Sequence, residues 1–228
     1  MMELMRTKFA LTLIILISTQ LSAKLVEVKK IIPDIVLDIR YATANNFLGV
    51  PVYKSARCFL EEDAARAVAK VQADLKKRGL VLKLFDGYRP FGIQEDFWRV
   101  WLTIAKKRGV KTPSDYVAEP KRDVRGMPKS GSKHNRGGAI DLTIIDLKTG
   151  KELEMPSEFD DFTDKAHCDA AAYLKMKPEV AKNCHLLSDV MVAHGFLVYE
   201  PEWWHFNWKN WKTYPLHIEI FEELDMLG

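Results

Sequence analysis

The chain has 228 residues, 47% of them hydrophobic and 29% charged, which is enough for one sizeable core and short for two independent domains. Its 34 lysines and arginines nearly balance 31 acids, and it has no long basic run with interleaved aromatics. Nucleic acid is therefore not an expected partner.

The first elements in chain order belong to a leader. Arg6 and Lys8 precede an apolar block from Phe9 to Ile17, followed by small and polar residues ending at Ala23. This is the pattern of a secretory signal peptide over residues 1–23, with 24–228 as the working domain. The block is shorter than the about 20 apolar residues that span a bilayer, so no lasting membrane anchor is expected after cleavage. A cut after Ala23 leaves Leu21 where a small residue is preferred, so the mature terminus is not fixed by this pattern. The expected destination is outside the cytoplasm, in the periplasm. Export also permits a disulfide, and of Cys58, Cys168 and Cys184 the last two, flanking a polar segment, are the expected pair.

From Glu61 to Arg78, acids open and bases close a segment with Ala64, Val68, Val71 and Leu75 on one face, and Gly79 follows; this predicts a helix. Residues 81–85, VLKLF, predict a strand that enters the turn DGYRP. Ile93, Phe97, Val100, Trp101 and Ile104 predict a second helix over 93–108. Residues 111–131 read as a long loop, of the kind that is often functional inside a compact domain. AIDLTII then predicts a strand with Ile140, Leu142 and Ile144 on one face and Asp141 and Thr143 on the other. A third helix is predicted over 185–194, with Gly195 ending it, and FLVY and WWHFNW as two further strands. Helices mixed with antiparallel hairpins imply an α+β fold, a mainly antiparallel sheet with helices packed on it.

A hydrolytic zinc centre needs about three N or O ligands, an open position for water, and a carboxylate that is not itself a ligand. His134 precedes the turn NRGG and Asp141 follows it, so a hairpin there brings both to one side. Aspartate is disfavoured in a strand interior, and a buried carboxylate needs a partner. Strand alternation sets His205 and Asn207 opposite Trp204, Phe206 and Trp208, which makes His205 a third candidate. Glu202 stands at that strand's entrance, close enough to act beside the ion.

Ser132-Lys-His134-Asn-Arg-Gly137-Gly-Ala139-Ile-Asp141 fits S-x-H-x-x-G-x-A-x-D, and Glu202-Trp-Trp-His205 fits E-x-x-H. In these motifs, and in IRYATANNF and DGYRP before them, the chain resembles the zinc D-alanyl-D-alanine dipeptidases, which include the dipeptidase of vancomycin-resistance clusters. That group belongs with the D-Ala-D-Ala carboxypeptidases and hedgehog-like zinc domains. The resemblance implies one Zn(2+) per chain on His134, Asp141 and His205, with Glu202 as base and Arg89 stabilising the oxyanion. It further implies Asp160, with Asp161 as the alternative in the doubled aspartate, for the substrate ammonium, and Ser132 as a substrate contact. Asp86 is expected to orient Arg89 or Tyr88 from behind. The implied activity is hydrolysis of a small dipeptide, D-Ala-D-Ala. Its rivals are a zinc D,D- or L,D-carboxypeptidase trimming peptidoglycan stems and a non-catalytic zinc-binding module. His194 reads as a helix C-terminal residue, and His167, His185 and His217 as surface.

Overall fold

The computed structural model describes residues 23–168, 172 and 175–224. All of the leader except Ala23 lies outside the described residues, and no helix among them is long and apolar enough to cross a membrane.

The first strand, β1 (Leu25–Glu27), runs into a single turn of helix, α1 (Val28–Ile31), and β2 (Val36–Leu37) follows. β3 (Phe59–Glu61) pairs antiparallel with β1 and leads directly into α2 (Glu62–Lys76). Helix α2 forms where the sequence predicts it: Glu62 and Asp63 complement the positive N-terminal dipole, and Lys76 the negative end. Its buried face, Ala64, Val68, Val71 and Leu75, packs on β4 (Leu80–Asp86). Helix α3 (Phe91–Arg108) starts two residues before the predicted boundary, directly after Pro90, and ends in a left-handed Gly109. Its Phe97 and Trp101 are buried against Tyr41, Phe47 and Phe162.

Residues 111–131 are more structured than the expected loop. They contain a 3₁₀ turn at Pro113–Asp115 and a small hairpin of β5 (Lys121–Arg122) and β6 (Pro128–Ser130). β7 (Ala139–Asp146) is central, and β8 (Lys151–Glu152) pairs with its far end. Helix α4 (Pro178–Ala193) begins seven residues before the predicted start, because Pro178 at the first helical position and Glu179 supply a start signal the apolar spacing did not reveal. β9 (Phe196–Val198) and β10 (His205–Trp208) complete the sheet, and a short α5 (Phe221–Leu224) follows.

The main sheet runs β2-β4-β7-β10-β9, antiparallel apart from the β2–β4 pair, with α2 and α4 packed against each other and on β4 and β9 respectively. This is the expected α+β class. Two expectations are corrected. Cys58 and Cys184 are buried thiols, so the pairing of Cys168 with Cys184 is not formed; Cys184 fills the inner face of α4 as a small apolar side chain. His217 is not a surface residue: its Nε2 lies 2.7 Å from Oε1 of Glu61, which is itself buried.

Candidate metal centre

Strand register brings two of the candidate ligands together. His205 on β10 is the direct cross-strand partner of Asp141 on β7, so both side chains leave the same face of the sheet. His134 arrives by a different route from the hairpin expected. Residues Lys133–Arg136 form one turn of 3₁₀ helix, capped at its start by Ser132, whose Oγ accepts from the His134 N–H, and reciprocally by Asn135, whose Oδ1 accepts from the Ser132 N–H. The strand before it, β6, pairs with β5 rather than β7. Gly137 ends the turn at φ +60°, the left-handed region that favours glycine, and a Cβ there would run into Leu25 and the Glu61 backbone.

The three donor atoms converge. His205 Nδ1 lies 3.0 Å from Asp141 Oδ1 and 3.1 Å from His134 Nε2, and His134 Nε2 lies 3.4 Å from the same carboxylate oxygen. All three residues are buried. The far nitrogen of each ring meets an oxygen: His134 Nδ1 is 2.7 Å from the Gly87 carbonyl, and His205 Nε2 is 2.9 Å from Asn207 Oδ1. An oxygen acceptor there requires the N–H on the far nitrogen, which leaves lone pairs on both near nitrogens. Two nitrogen lone pairs and a carboxylate oxygen facing one another repel unless a cation sits among them. The donor set, two imidazoles and one carboxylate, suits zinc, with outer oxygens holding the rings as zinc sites require.

Glu202 stands next to this triangle without joining it, its Oε2 3.8 Å from His205 Nδ1. Burial raises its carboxyl to about 7, although His205, Arg89 and Lys133 pull the other way.

Arg89 is reached through the turn after β4. Its backbone N–H donates to the His134 carbonyl, and Asn135 Nδ2 donates to the Arg89 carbonyl, so the two turns are tied together. The buried guanidinium donates from Nε and Nη2 to Asp86 Oδ2 at 3.1 and 2.8 Å and from Nη1 to Gln94 Oε1 at 2.8 Å, and it lies over the Phe97 ring. Asp86 thus orients Arg89. Tyr88 turns the other way, donating to the Glu219 carbonyl and packing on His217 and Phe221.

These groups open on one cavity of about 240 Å³, lined by Arg89, Ser132, Lys133, His134, Asp141, Asp160, Glu202 and His205 with Tyr41, Phe97, Tyr199 and Trp211 among others. Of the two aspartates of the doubled pair, Asp160 is among its walls and Asp161 is not. Asp160 takes a left-handed φ of 62°, and its carboxylate accepts from the Tyr41 hydroxyl at 3.0 Å and from the Phe47 N–H. Burial, reinforced by the charge of Asp141, raises its carboxyl well above the ordinary range. Residues 114 and 116–118 from the segment read as a loop also line the cavity.

Sequence reasoning missed four contributors. Tyr41 lies in the quoted stretch IRYATANNF but is linked to Asp160 only through the fold. Asn207 shares a strand face with His205, a signal that the two-residue spacing did carry. Gln94, one turn into α3, braces Arg89. Lys133, inside the S-x-H motif, is half-buried with its Nζ over the Tyr199 and Trp211 rings, and burial lowers its pKa.

The fold and this donor set define a zinc metallopeptidase. A family model described as D-ala-D-ala dipeptidase, peptidase M15, matches residues 21–222, and the chain belongs to that family. It is 32% identical over 200 residues to the D-alanyl-D-alanine dipeptidase of Escherichia coli, covering 88% of this chain and 92% of that one. The enzyme of the same name from Enterococcus faecalis is 34% identical over 75% of this chain and 84% of its own, and that from Streptomyces coelicolor 32% over 80% and 90%.

Proposed function

We propose that residues 24–228 are a zinc-dependent dipeptidase that hydrolyses D-Ala-D-Ala to free D-alanine, with the metal on His134, Asp141 and His205. The observation that carries this reading is the convergence of three cation-seeking donors beside an unshared carboxylate, Glu202, in one small cavity. Zinc bound there supplies an acidified water and a polarised scissile carbonyl. Glu202 accepts the proton of the attacking water and passes it to the leaving amine, and its raised affinity for a proton suits both halves of that task. Arg89, immobilised by Asp86 and Gln94, stabilises the oxygen on which negative charge develops.

The cavity walls select the substrate. At about 240 Å³ the cavity falls below the roughly 300–1,000 Å³ of pockets that take drug-sized ligands. Asp160, held by Tyr41, offers a carboxyl group that an incoming substrate ammonium would draw into its ionised form, and Ser132 with Lys133 would hold the carboxylate end. A zwitterion with charges at both ends meets both. A carboxypeptidase of the same metal chemistry needs an opening at the amino end of its substrate, where Asp160 with residues 114 and 116–118 would instead form wall. Comparing hydrolysis of free D-Ala-D-Ala with that of N-acylated D-Ala-D-Ala tests this: the free dipeptide is cleaved and the acylated one is not, and equal rates would favour the carboxypeptidase.

The leader pattern supports a location outside the cytoplasm, where dipeptide released from the cell wall would be available for recycling. An exported enzyme does not reach dipeptide before it enters wall precursors, so scavenging rather than vancomycin-type resistance is the proposed role. Recovery of the protein from the cytosolic fraction with residues 1–23 intact would refute the location.

A further inference from the structure

Glu61 is as deeply buried as Asp86, at 1% exposure, yet takes no part in the cavity. A buried carboxylate is costly unless paired with a cation and fully hydrogen-bonded. Its Oε1 lies 2.7 Å from His217 Nε2, and His217 also has a second acid, Glu219, 3.6 Å from Nδ1. Its Oε2 accepts from the backbone nitrogen of Lys24 at 2.6 Å. Within an uncut chain that nitrogen is a neutral amide. At the start of a chain it is an ammonium.

We infer that the leader is cut between Ala23 and Lys24, and that the α-ammonium so created, on an exposed residue, forms a part-buried ion pair with the buried Glu61 carboxylate that braces the turn carrying His134. The inference rests on the proposed export. Hydrolysis of the Ala23–Lys24 amide by a leader peptidase adds one water across the bond: Ala23 leaves with a carboxylate, and Lys24 keeps the nitrogen as an ammonium at the atom already on Glu61.

Two independent observations meet at this bond. The small and polar residues that close the leader end at Ala23, and the fold sets the next nitrogen on a carboxylate whose side-chain partner among the described residues is His217. The chain after that nitrogen is held in place: the Lys24 carbonyl accepts from the Glu62 N–H at 3.0 Å, and Leu25 is the register partner of Glu61 in the β1–β3 pair. The link to the metal turn is as direct. The Glu61 N–H donates to the Gly137 carbonyl at 3.0 Å, the His217 N–H donates to the Asn135 carbonyl at 2.9 Å, and Leu25 packs against Gly137.

The test reads termini and melting temperature rather than activity. Intact mass and N-terminal sequencing of the exported protein are expected to give Lys24 as first residue. Three zinc-loaded forms released from a cleavable tag are then melted: one starting at Lys24, one starting at Ala23, and one starting at Lys24 with an acetylated α-amine. The free Lys24 form is expected to melt higher than the other two by about 5 °C or more, a gap read with Glu61 intact, and the gap is expected to collapse in Glu61→Gln. A cleaved protein with another first residue, three forms that melt together, or a gap that survives Glu61→Gln each overturns the inference. Uncut protein confined to the cytosol refutes the export reading itself, which separates the two failures.

Discussion

Replacing Asp86 by asparagine tests whether Arg89 is held for its task or merely packed. Asp86 Oδ1 accepts from the Tyr53 hydroxyl and the Gly87 N–H, each at 2.9 Å, and Oδ2 accepts twice from the guanidinium. Asparagine keeps one acceptor oxygen and turns two N–H groups toward donors. In whichever orientation it settles, one pair of these bonds is lost, and the Arg89 charge remains in a site only 7% exposed. Removing one partner of a buried ion pair costs about 3–5 kcal/mol. At roughly 2–4 °C per kcal/mol for a chain of this size, Asp86→Asn should lower Tm by about 6–20 °C. Melting of the zinc-loaded single and double variants Asp86→Asn, Arg89→Met and Asp86→Asn/Arg89→Met closes a cycle in which the double costs less than the sum of the singles, because Met leaves no buried charge stranded. kcat for D-Ala-D-Ala should fall in both singles. A Tm within about 2 °C of wild type for Asp86→Asn, or an additive cycle, would refute the reasoning.

Glu202→Gln should retain one zinc per chain by elemental analysis while kcat drops by roughly 10²–10⁴, the usual contribution of a general base; hydrolysis at the wild-type rate would remove Glu202 from the mechanism. Asn207→Ala frees the His205 ring to turn, and zinc affinity measured by competition with a chelator should weaken about 10–100-fold. Dialysis against a chelator should abolish hydrolysis, and added zinc should restore it; activity that persists without metal contradicts the donor-set argument. Gly138→Ala places a methyl 2.7 Å from the Trp211 Cβ, so either the chain or the indole on the cavity wall must shift; a lowered Tm and a raised KM are expected, and an unchanged KM would show the wall to be tolerant there.

The sequence was most informative where chemistry is local. His134, Asp141, Glu202 and His205 stand in two compact motifs, and the structure gathers all four around one point. The turn between His134 and Asp141 was legible as a turn from its glycines but not as 3₁₀, because the capping exchange between Ser132 and Asn135 competes with hairpin pairing and wins. Strand β10 is shorter than WWHFNW suggests, since Trp203 and Trp204 belong to the preceding turn even though their hydrophobicity matches a strand. Asp160 was reachable through family resemblance alone; its binding to Tyr41 spans 119 residues and leaves no trace in spacing. Lys133 and Gln94 were missed for the same reason, their meaning lying in walls that distant segments build. The cysteine expectation failed because the oxidising compartment permits a bridge without requiring one, and burial in an apolar core is an equally good fate for a thiol.

The pairing of His205 with Asp141 across β7 and β10 carries a further consequence for how the protein is made. A slip of one residue between these strands would send the His205 ring to the opposite side of the sheet, away from His134 and Asp141. A zinc ion held by the correctly paired chain and not by the slipped one would add its binding energy to a single register. The cation that would serve hydrolysis would then also favour the native strand pairing, and a higher yield of native protein on refolding with added zinc than without it is the expected outcome.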